Sequence, residues 1–536
     1  MARCRRNRGK TGQAAGLTPS RRSTPACQVA RWPFHSEIVV DSGPSACKVG
    51  ARRCQKGNSG WLIYRERQKM EQAVNSLQSR DILNYLHPFT DAARHLEVGP
   101  KIFVRGEGIY VFDDQGKKYI EGLAGLWCAA LGFSEKRLVA AATKQLETLP
   151  FYHNFAHKAV SPTIELAEAL IKRSPVPMSK VFFTNSGSEA NDTQVKLVWY
   201  YNNILGRPKK KKIIARRGAY HGITVATGSM TGQAYAHNGF DLPISGFLHT
   251  DFPHYYRYSE AGESEVAYSE RLAKNLEDLI RKESADTIGG FIAEPFIGAG
   301  GVVPPPNGYF ERIQPILKRN EILFIVDEVI SGFYRTGKMF GTQTYKLEPD
   351  LITVAKSLSA AYQPIGAVFI SEKVYRTIVE GSRKYGTFGT GFTYSGHPVP
   401  AAVALATLRI YEEDHIEEHV RSIIPHFQER LRRLSEKSMV GEARGVGLVG
   451  AVELVKDKTS KTTFDPGRKV ATWVTDKAFE HGLIVRALPN DTVAVCPPLI
   501  IQRREIDDLF DRLERSLEDA EVEFRTERAN PQPAIG

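Results

Sequence analysis

Two apolar runs end in residues of opposite charge: ILFIVD (322–327) ends in Asp327, and LITVAK (351–356) ends in Lys356. Short runs of this kind predict strands that are buried on both faces, as in a parallel sheet. The carboxyl ends of parallel strands meet at one edge of the sheet, which is where open α/β sheets bind ligands. We therefore expect a carboxylate and an amine to meet at such an edge.

The surrounding sequence predicts the architecture. From about residue 135 to about residue 330, helical and strand patterns alternate, which is typical of an α/β fold with a mostly parallel sheet. After about residue 400, amphipathic helices precede a short set of strands, which indicates a smaller α+β domain. The predicted segments are an Arg-rich leader (1–69), an N-terminal segment that packs with the small domain (70–120), a large domain (121–399), the small domain (400–525) and a tail (526–536).

The positive charge is concentrated in the leader. Residues 1–69 hold 15 Lys and Arg against 3 Asp and Glu, which accounts for the whole net charge of +12. The remainder of the chain is balanced, so no nucleic-acid partner is predicted. An Arg-rich, acid-poor leader is typical of a transit peptide, and a disordered or over-extended terminus with Met70 as the native start is the alternative.

The cysteines and the apolar runs bear on the compartment. After residue 69 only Cys128 and Cys496 occur, which favours a reducing compartment over a disulfide framework. No apolar run reaches the roughly 20 residues that cross a bilayer. We expect a cytoplasmic protein without a membrane partner, or a mitochondrial one if the leader is a transit peptide. His153 and His157 lack a third ligand nearby, so no metal site is predicted.

The amine and the carboxylate suit the chemistry of pyridoxal 5'-phosphate. Lys356 can form a Schiff base with the aldehyde of this cofactor, and Asp327 can keep its pyridine nitrogen protonated. Tyr220 follows another apolar run, IIA (213–215), and can supply a stacking face for the ring. A lysine alone is more often solvated, an aspartate more often caps a helix or binds a metal, and a tyrosine more often lies in the core, so the combination carries the inference.

A phosphate site is predicted at the turn NSGS (185–188). This turn joins a short strand to a helix that runs from Glu189 to about Leu205, with Ser188 as the predicted N-cap. Glycine lets the backbone approach a ligand closely, and a helix N-terminus directs free N–H groups at an anion. The simpler interpretation of Ser-Gly-Ser alone is an ordinary turn.

The chain from Leu123 to Pro498 resembles the class III (subgroup II) pyridoxal-phosphate aminotransferases of fold type I. It is most similar to their ω-amino acid:pyruvate, or amine:pyruvate, branch and to plant pyruvate-dependent 4-aminobutyrate transaminases. The segments that carry the resemblance are LAGLWC (123–128), FFTNSGSEAND (182–192), AYHG (219–222), FIAEPFIGAGG (291–301), FIVDEVISGFYRTG (324–337), PDLITVAKSLSAAYQPIGA (349–367) and GFTYSGHPV (391–399).

The resemblance implies the roles of the cofactor site. Lys356 is the implied catalytic lysine, and the implied cofactor contacts are Asp327 at the ring nitrogen, Gly187 and Ser188 at the phosphate, Tyr220 and Val329 on opposite ring faces, and Thr393 at the phosphate of the neighbouring subunit. The last contact implies a homodimer with a shared active site. A tetramer of such dimers remains an open alternative.

The resemblance also implies a substrate pocket. Trp127 matches its aromatic wall, and Phe151 and Tyr152 match a wall contributed by the partner subunit, with core packing as the alternative for each. Arg486 matches a movable arginine that pairs with a substrate carboxylate, against the alternative of a surface salt bridge. Ile223 stands where relatives that use 2-oxoglutarate carry arginine, so pyruvate or glyoxylate is the expected acceptor.

The expected activity is transfer of an amino group from an amine or ω-amino acid to pyruvate or glyoxylate. The cofactor would cycle between its pyridoxal and pyridoxamine forms with ping-pong kinetics. A 4-aminobutyrate transaminase and an aminomutase are alternatives on the same fold. A catalytically silent scaffold is an alternative of a different class, and the joint presence of Lys356, Asp327 and the phosphate turn argues against it.

Overall fold

The computed structural model of the chain describes residues 76–525. The chain divides into two units, Met1–Tyr85 and Leu86–Gly536. The described part of the first unit forms the helix Leu77–Asn84, where the Ser76 side chain accepts a hydrogen bond from the Ser79 amide. The predictions for the leader and the tail fall on residues outside the described range, and they stay predictions.

The described residues hold fifteen strands in three sheets. The strands are β1 (Phe103–Glu107), β2 (Tyr110–Asp113), β3 (Lys118–Glu121), β4 (Lys180–Thr184), β5 (Lys212–Arg216), β6 (Phe247–Thr250), β7 (Ile288–Ala293), β8 (Leu323–Asp327), β9 (Leu351–Val354), β10 (Gly366–Ile370), β11 (Val440–Val446), β12 (Val449–Leu454), β13 (Leu483–Ile484), β14 (Arg486–Leu488) and β15 (Thr492–Val495).

Helices connect and cover these strands. The α-helices of the second unit are Ala92–Val98, Ala124–Trp127, Lys136–Thr148, Ser161–Arg173, Gly187–Ile204, Val225–Met230, Tyr255–Tyr258, Glu265–Glu283, Tyr309–Arg319, Gly341–Thr344, Glu372–Tyr385, Pro398–Glu413, Ile416–Arg433, Val470–Glu480 and Arg503–Arg525. Short 3-10 helices span Ala234–Ala236, Ala285–Thr287, Lys356–Ser359, Leu434–Glu436 and Pro466–Arg468. Between residues 76 and 525, no helix combines the length and the apolar character that crossing a membrane requires.

The seven-stranded sheet carries the fold. Its strand order is β4-β10-β9-β8-β7-β5-β6. Only β10 runs antiparallel to its neighbours among these described strands, and the other adjacent pairs are parallel. In the centre β8 and β9 pair with Asp327 opposite Thr353, so both strands end at the same edge. The predicted α/β fold with a mostly parallel sheet is confirmed.

Helices cover both faces of this sheet. Successive side chains of a strand point to opposite faces, so a strand that is apolar throughout needs cover on both. Phe324 of β8 packs in an apolar cluster with residues of the helix Glu265–Glu283. Its neighbour Ile325 packs in a second cluster with residues of the helix Gly187–Ile204. Burial on both faces explains why β8 reads as a continuous apolar run in the sequence.

The two smaller sheets join residues that lie far apart in the chain. One has the order β1-β2-β3-β13, and its last pair is parallel, with Ile120 opposite Leu483. The other has the order β11-β12-β15-β14 and is antiparallel throughout. The predicted domain limits at residues 120 and 399 stay predictions.

Gly366 in β10 offers a test of how tightly the sheet holds the predicted phosphate turn. A Cβ at this position would lie 2.6 Å from the carbonyl oxygen of Ser186 and 2.7 Å from Thr184 Oγ1. Because backbone atoms cannot move aside freely, we expect Gly366→Ala to lower the free energy of unfolding by about 1–3 kcal/mol. Urea unfolding measures this change.

The exposed Gly467 supplies the matched control, because its nearest contact is the flexible Asp465 side chain at 3.3 Å. Gly467→Ala should change the free energy of unfolding by no more than about 0.5 kcal/mol. Equal losses in the two variants would show that the contact between β10 and the turn is not tight.

Candidate active site

A cavity of about 350 Å³ lies at the carboxyl edge of the central sheet. Strands β4, β5, β8 and β9 end around it, as expected for the ligand site of an open α/β sheet. Six of the predicted cofactor residues line the cavity: Gly187, Ser188, Tyr220, Asp327, Val329 and Lys356. The strand ends therefore bring together residues that are up to 169 positions apart in the sequence, from Gly187 to Lys356.

Strand β9 ends at Val354, and Lys356, two residues later, begins a turn of 3-10 helix. Its backbone lies in the left-handed region, with φ of 47°. Within the part of the chain that the structure describes, its side-chain amine takes part in no hydrogen bond or ion pair. Burial lowers the pKa of this amine, which favours the neutral form that acts as a nucleophile or base.

Asp327 is only 4% exposed, and three donors hold its carboxylate. Asn191 Nδ2 donates to Oδ2 at 2.7 Å, and His221 Nδ1 donates to the same oxygen at 2.9 Å. The backbone amide of Val329 donates to Oδ1 at 3.1 Å. These bonds fix the orientation of the carboxylate where Asp327 lines the cavity.

A second layer of hydrogen bonds orients Asn191. Its Oδ1 accepts from Thr353 Oγ1 at 2.6 Å and from Gln194 Nε2 at 3.0 Å. Its Nδ2 also donates to the carbonyl oxygen of His221 at 2.8 Å. The amide group therefore cannot rotate without losing several bonds, so it presents its nitrogen to Asp327.

Asn191 and His221 were not among the predicted site residues. Both stand inside motifs that carried the resemblance, FFTNSGSEAND and AYHG. A helical spacing of four residues from Gly187 to Asn191 was the available signal for the first. For His221 the only signal was its position next to Tyr220.

The predicted phosphate turn forms the start of the 18-residue helix Gly187–Ile204. The predicted N-cap was wrong: Ser186, not Ser188, caps the helix, because its Oγ accepts from the Glu189 amide at 3.2 Å. Ser188 consequently lies in the first turn. Among the described residues, no acceptor pairs with the amides of Gly187 and Ser188, so both remain available to an anion.

Gly187 is required by a close contact across the cavity. A Cβ there would lie 2.9 Å from Val329 Cγ2. The absence of a side chain thus leaves room for Val329 and exposes the helix N-terminus. A cofactor whose ring packs on Val329 and whose phosphate lies at the helix N-terminus would need this space.

Tyr220 is held by a buried glutamate. Its amide donates to Glu294 Oε1 at 3.1 Å, and the Gly298 amide donates to Glu294 Oε2 at 2.8 Å. Burial raises the pKa of Glu294 and the pKa of the Tyr220 phenol. The two hydrogen bonds fix the backbone of Tyr220 where its ring lines the cavity.

An aromatic wall that the sequence did not predict continues from Tyr220. The ring of Phe89 lies 6.3 Å from Tyr220 and 5.7 Å from Tyr235. Burial raises the pKa of Tyr235 to about 12. Both residues are distant in sequence from the recognised motifs and carried no signal of their own.

The remaining predicted residues lie outside this cavity. Trp127 is 2% exposed and packs in an apolar cluster with Phe296 and Ile330. Phe151 and Tyr152 are 38% and 43% exposed. Thr393 is also exposed, and Arg486 is partly buried beyond Tyr220. Their predicted roles therefore depend on substrate or on a second subunit and stay predictions.

The residues at the cavity fit pyridoxal 5'-phosphate. The free amides of Gly187 and Ser188 suit the phosphate, the held carboxylate of Asp327 suits the pyridinium, and the buried amine of Lys356 suits the aldehyde. When bound, this cofactor withdraws electrons from the substrate and makes its Cα–H bond acidic.

The hydrogen bond from His221 to Asp327 gives a testable prediction. His221→Leu removes the donor at similar size, and we expect about tenfold weaker binding of pyridoxal 5'-phosphate, because a buried carboxylate loses a bond. His221→Asn retains a side-chain N–H near the Nδ1 position and should restore most of the affinity. Absorbance titration of the apoenzyme measures both, and equal losses would mean that His221 acts only by packing.

Comparison with known proteins is consistent with this site. The family model Aminotransferase class-III matches residues 92–517. Gamma aminobutyrate transaminase 1, mitochondrial, of Solanum lycopersicum is 51% identical over 448 residues, which cover 83% of this chain and 86% of that protein. Gamma aminobutyrate transaminase 3, chloroplastic, of the same organism is 49% identical over 467 residues, covering 86% of this chain and 89% of that protein.

Solved structures show the same relationship. The omega transaminase from Pseudomonas jessenii in complex with PMP superposes with a TM-score of 0.82 at 52% identity, covering 84% of this chain and 99% of that one. The predicted family and fold type are confirmed. The chain belongs to the class III aminotransferases, enzymes of fold type I that depend on pyridoxal 5'-phosphate.

Proposed function

We propose that this transaminase takes the amino group of an amine or ω-amino acid and passes it to pyruvate or glyoxylate. The environment of Arg486 is the observation that supports this choice most. Its side chain is partly buried, burial lowers its pKa, and the phenols of Tyr235 and Tyr220 act on it electrostatically. No carboxylate between residues 76 and 525 forms an ion pair with it, so the charge is free for the carboxylate of a substrate.

The side chain of Ile223 bears on the size of the keto acid acceptor. Ile223 is 53% exposed, and its amide donates to Ser188 Oγ at 3.3 Å, so its apolar side chain lies near the phosphate turn. An isoleucine cannot pair with a second carboxylate. A keto acid with one carboxylate therefore suits the site better than 2-oxoglutarate.

The side chains of the site perform the proton transfers. With the cofactor bound, the amine of Lys356 would act as the base that takes the proton from the substrate Cα and, once protonated, as the acid that gives it back. Its pKa, lowered by burial, makes the neutral amine accessible. Asp327, oriented by Asn191 and His221, would pair with the protonated ring nitrogen of the bound cofactor. Pyruvate then uses the same groups in the reverse direction, which gives ping-pong kinetics.

4-Aminobutyrate is the second candidate donor. The names of curated relatives that are 51% and 49% identical support it. This donor carries one carboxylate, which Arg486 could hold as well as that of pyruvate. An aminomutase on the same fold would instead rearrange one substrate without a keto acid acceptor.

We also propose that the active site is completed in a homodimer. Phe151 lies 5.6 Å from the ring of Tyr394, and both rings are exposed, at 38% and 57%. Together with Tyr152 and Thr393 they form an exposed group that contributes nothing to the cavity of its own chain. A second copy of the chain would bury these rings and bring Thr393 to the partner's phosphate. A tetramer of such dimers is compatible with the same contact.

The compartment depends on residues 1–69. We propose a cytoplasmic enzyme if that segment is not native, and an organellar one if it is a transit peptide. Relatives named mitochondrial and chloroplastic support the second alternative. N-terminal sequencing of the enzyme from its own source separates the two.

The visible absorbance of the bound cofactor tests the proposed acceptor. An amine donor should bleach the absorbance of the purified enzyme, and pyruvate or glyoxylate should restore it within one half-reaction. 2-Oxoglutarate should restore it at least about tenfold more slowly, because one of its carboxylates has no partner. Faster recovery with 2-oxoglutarate would refute the proposal, and turnover of a single amine without any keto acid would indicate an aminomutase.

Arg486→Ala should separate the two half-reactions. We expect the KM for pyruvate to rise about tenfold or more, because the carboxylate loses a charged, bidentate partner. The KM for a donor without a carboxylate, such as 1-phenylethylamine, should change by less than about twofold. Steady-state kinetics with both substrates varied measures the two constants. Equal effects on both would remove the proposed role of Arg486.

A further inference from the structure

A second cavity, of about 480 Å³, lies one strand further along the same sheet edge. Its walls come from the segments that follow β5 and β6, from the helix Glu265–Glu283 and from the segment that follows β14. The polypeptide after β5 separates the two cavities: Arg217 and Gly218 line the second, and Tyr220 lines the first. Tyr235 lines this second cavity and also continues the aromatic wall beside Tyr220, while the proposed proton transfers use no residue of the second cavity.

Two uncompensated charges of opposite sign line this cavity. Arg217 is exposed, and its guanidinium forms no ion pair or hydrogen bond with any residue of the described range. The carboxylate of Asp251 accepts a hydrogen bond from Asn275 Nδ2 at 2.7 Å but has no cation within ion-pair distance in that range. The two groups do not pair with each other, although they face the same space.

The other arginine of the wall is already neutralised. Arg271 donates to both oxygens of Glu263, at 2.8 and 2.7 Å, and also to the carbonyl oxygen of Tyr258. Its pairing lowers the pKa of Glu263 to about 2. The cavity is therefore left with one free cation, Arg217, and one free anion, Asp251, among its described lining residues.

A buried acceptor also lies in the wall of this cavity. Gln233 Nε2 donates to the carbonyl oxygen of Gly218 at 3.1 Å, which fixes the orientation of the amide because a carbonyl accepts only from its nitrogen. Gln233 Oε1 is left buried, with no hydrogen-bond partner in the described chain. Such an orphan acceptor is costly to bury, and a donor entering from the cavity would offset this cost.

The rest of the wall is apolar or aromatic. It includes Phe252, Leu272 and Pro489 together with the rings of Tyr235, Tyr258 and Tyr268. The Tyr268 hydroxyl is already engaged, because it donates to the carbonyl oxygen of Phe252 at 2.8 Å. These surfaces suit an apolar or aromatic side chain rather than an extended polar one.

We propose that the second cavity is a non-catalytic binding site for an α-amino acid with an apolar or aromatic side chain. The carboxylate of this ligand pairs with Arg217, and its ammonium group pairs with Asp251. The side chain rests on the aromatic wall. Neither a simple carboxylate nor a simple amine satisfies both charges, so a zwitterion is the matching class.

The site is placed to act on the catalytic cavity through a short connection. Gly218 and Gly300 form a close backbone contact in its wall, since a Cβ on Gly300 would lie 2.0 Å from the Gly218 carbonyl oxygen. Tyr220 follows Gly218 by two residues, and Tyr235 faces both the second cavity and the ring of Phe89. An amino acid, which is the class of product that a keto acid acceptor yields, would thus bind within reach of the active-site wall. The proposal does not depend on which keto acid that is.

Calorimetric titration of the holoenzyme with L-phenylalanine tests the site. Borohydride reduction first fixes the cofactor to Lys356, so that the amino acid cannot react. We expect saturable binding of L-phenylalanine, and about tenfold weaker binding of 3-phenylpropionate and of 2-phenylethylamine, which each lack one charge. Absence of saturable binding, or equal affinities for the three probes, would overturn the proposal.

Variants locate the ligand. Arg217→Ala should weaken L-phenylalanine binding about tenfold or more, whereas Arg486→Ala, on the catalytic side, should change it less than about twofold. Arg433→Ala is the matched control, because Arg433 is an exposed arginine of the helix Ile416–Arg433 outside both cavities. Binding lost in Arg486→Ala and retained in Arg217→Ala would place the ligand in the catalytic cavity and refute the second site.

Asp251→Asn gives a test that does not depend on Arg217. It should weaken the binding of L-phenylalanine but not that of 3-phenylpropionate, because only the former carries an ammonium group. Cofactor absorbance and thermal midpoint, measured on each variant, confirm that it is folded. Equal losses for the two probes in a folded Asp251→Asn variant would contradict the proposed pairing with the ammonium group.

Discussion

A carboxylate that is almost completely removed from water must be held by donors, and the active site is built around this requirement at Asp327. The donors come from three separate places: the helix Gly187–Ile204 through Asn191, the segment after β5 through His221, and the chain just after β8 through Val329. The same helix that directs its N-terminus at the phosphate position also grips the carboxylate at the ring nitrogen, one turn further on. A single helix thereby fixes the distance between the predicted phosphate site and the Asp327 carboxylate.

Burial acts on the charges of the site in a consistent direction. It lowers the pKa of Lys356 and raises the pKa of Glu294, so that each is driven toward its neutral form. Asp327, by contrast, is a buried carboxylate that three donors hold in place. The site therefore combines an oriented carboxylate with an amine whose neutral form burial favours.

Sequence reasoning succeeded where a functional residue follows a strand. Asp327 and Lys356 each close an apolar run, so a one-dimensional pattern was enough to place them at one sheet edge. His221 was missed because its function lies in a contact with Asp327, 106 residues away, which no local pattern encodes. The choice of Ser188 over Ser186 as N-cap failed for a different reason: two serines two positions apart both satisfy the capping preference, and only the backbone geometry selects between them. Thr393 and Phe151 lie outside the cavity, and their proposed roles depend on a second copy of the chain.

The left-handed backbone of Lys356 has a consequence for the stability of this enzyme. A side chain with a Cβ resists that conformation, at a cost of about 1–2 kcal/mol, and glycine alone would adopt it freely. A lysine here therefore carries a local backbone cost in the folded state that a glycine would not carry. The fold thus sets a conformational penalty at one residue against the chemistry proposed for its amine.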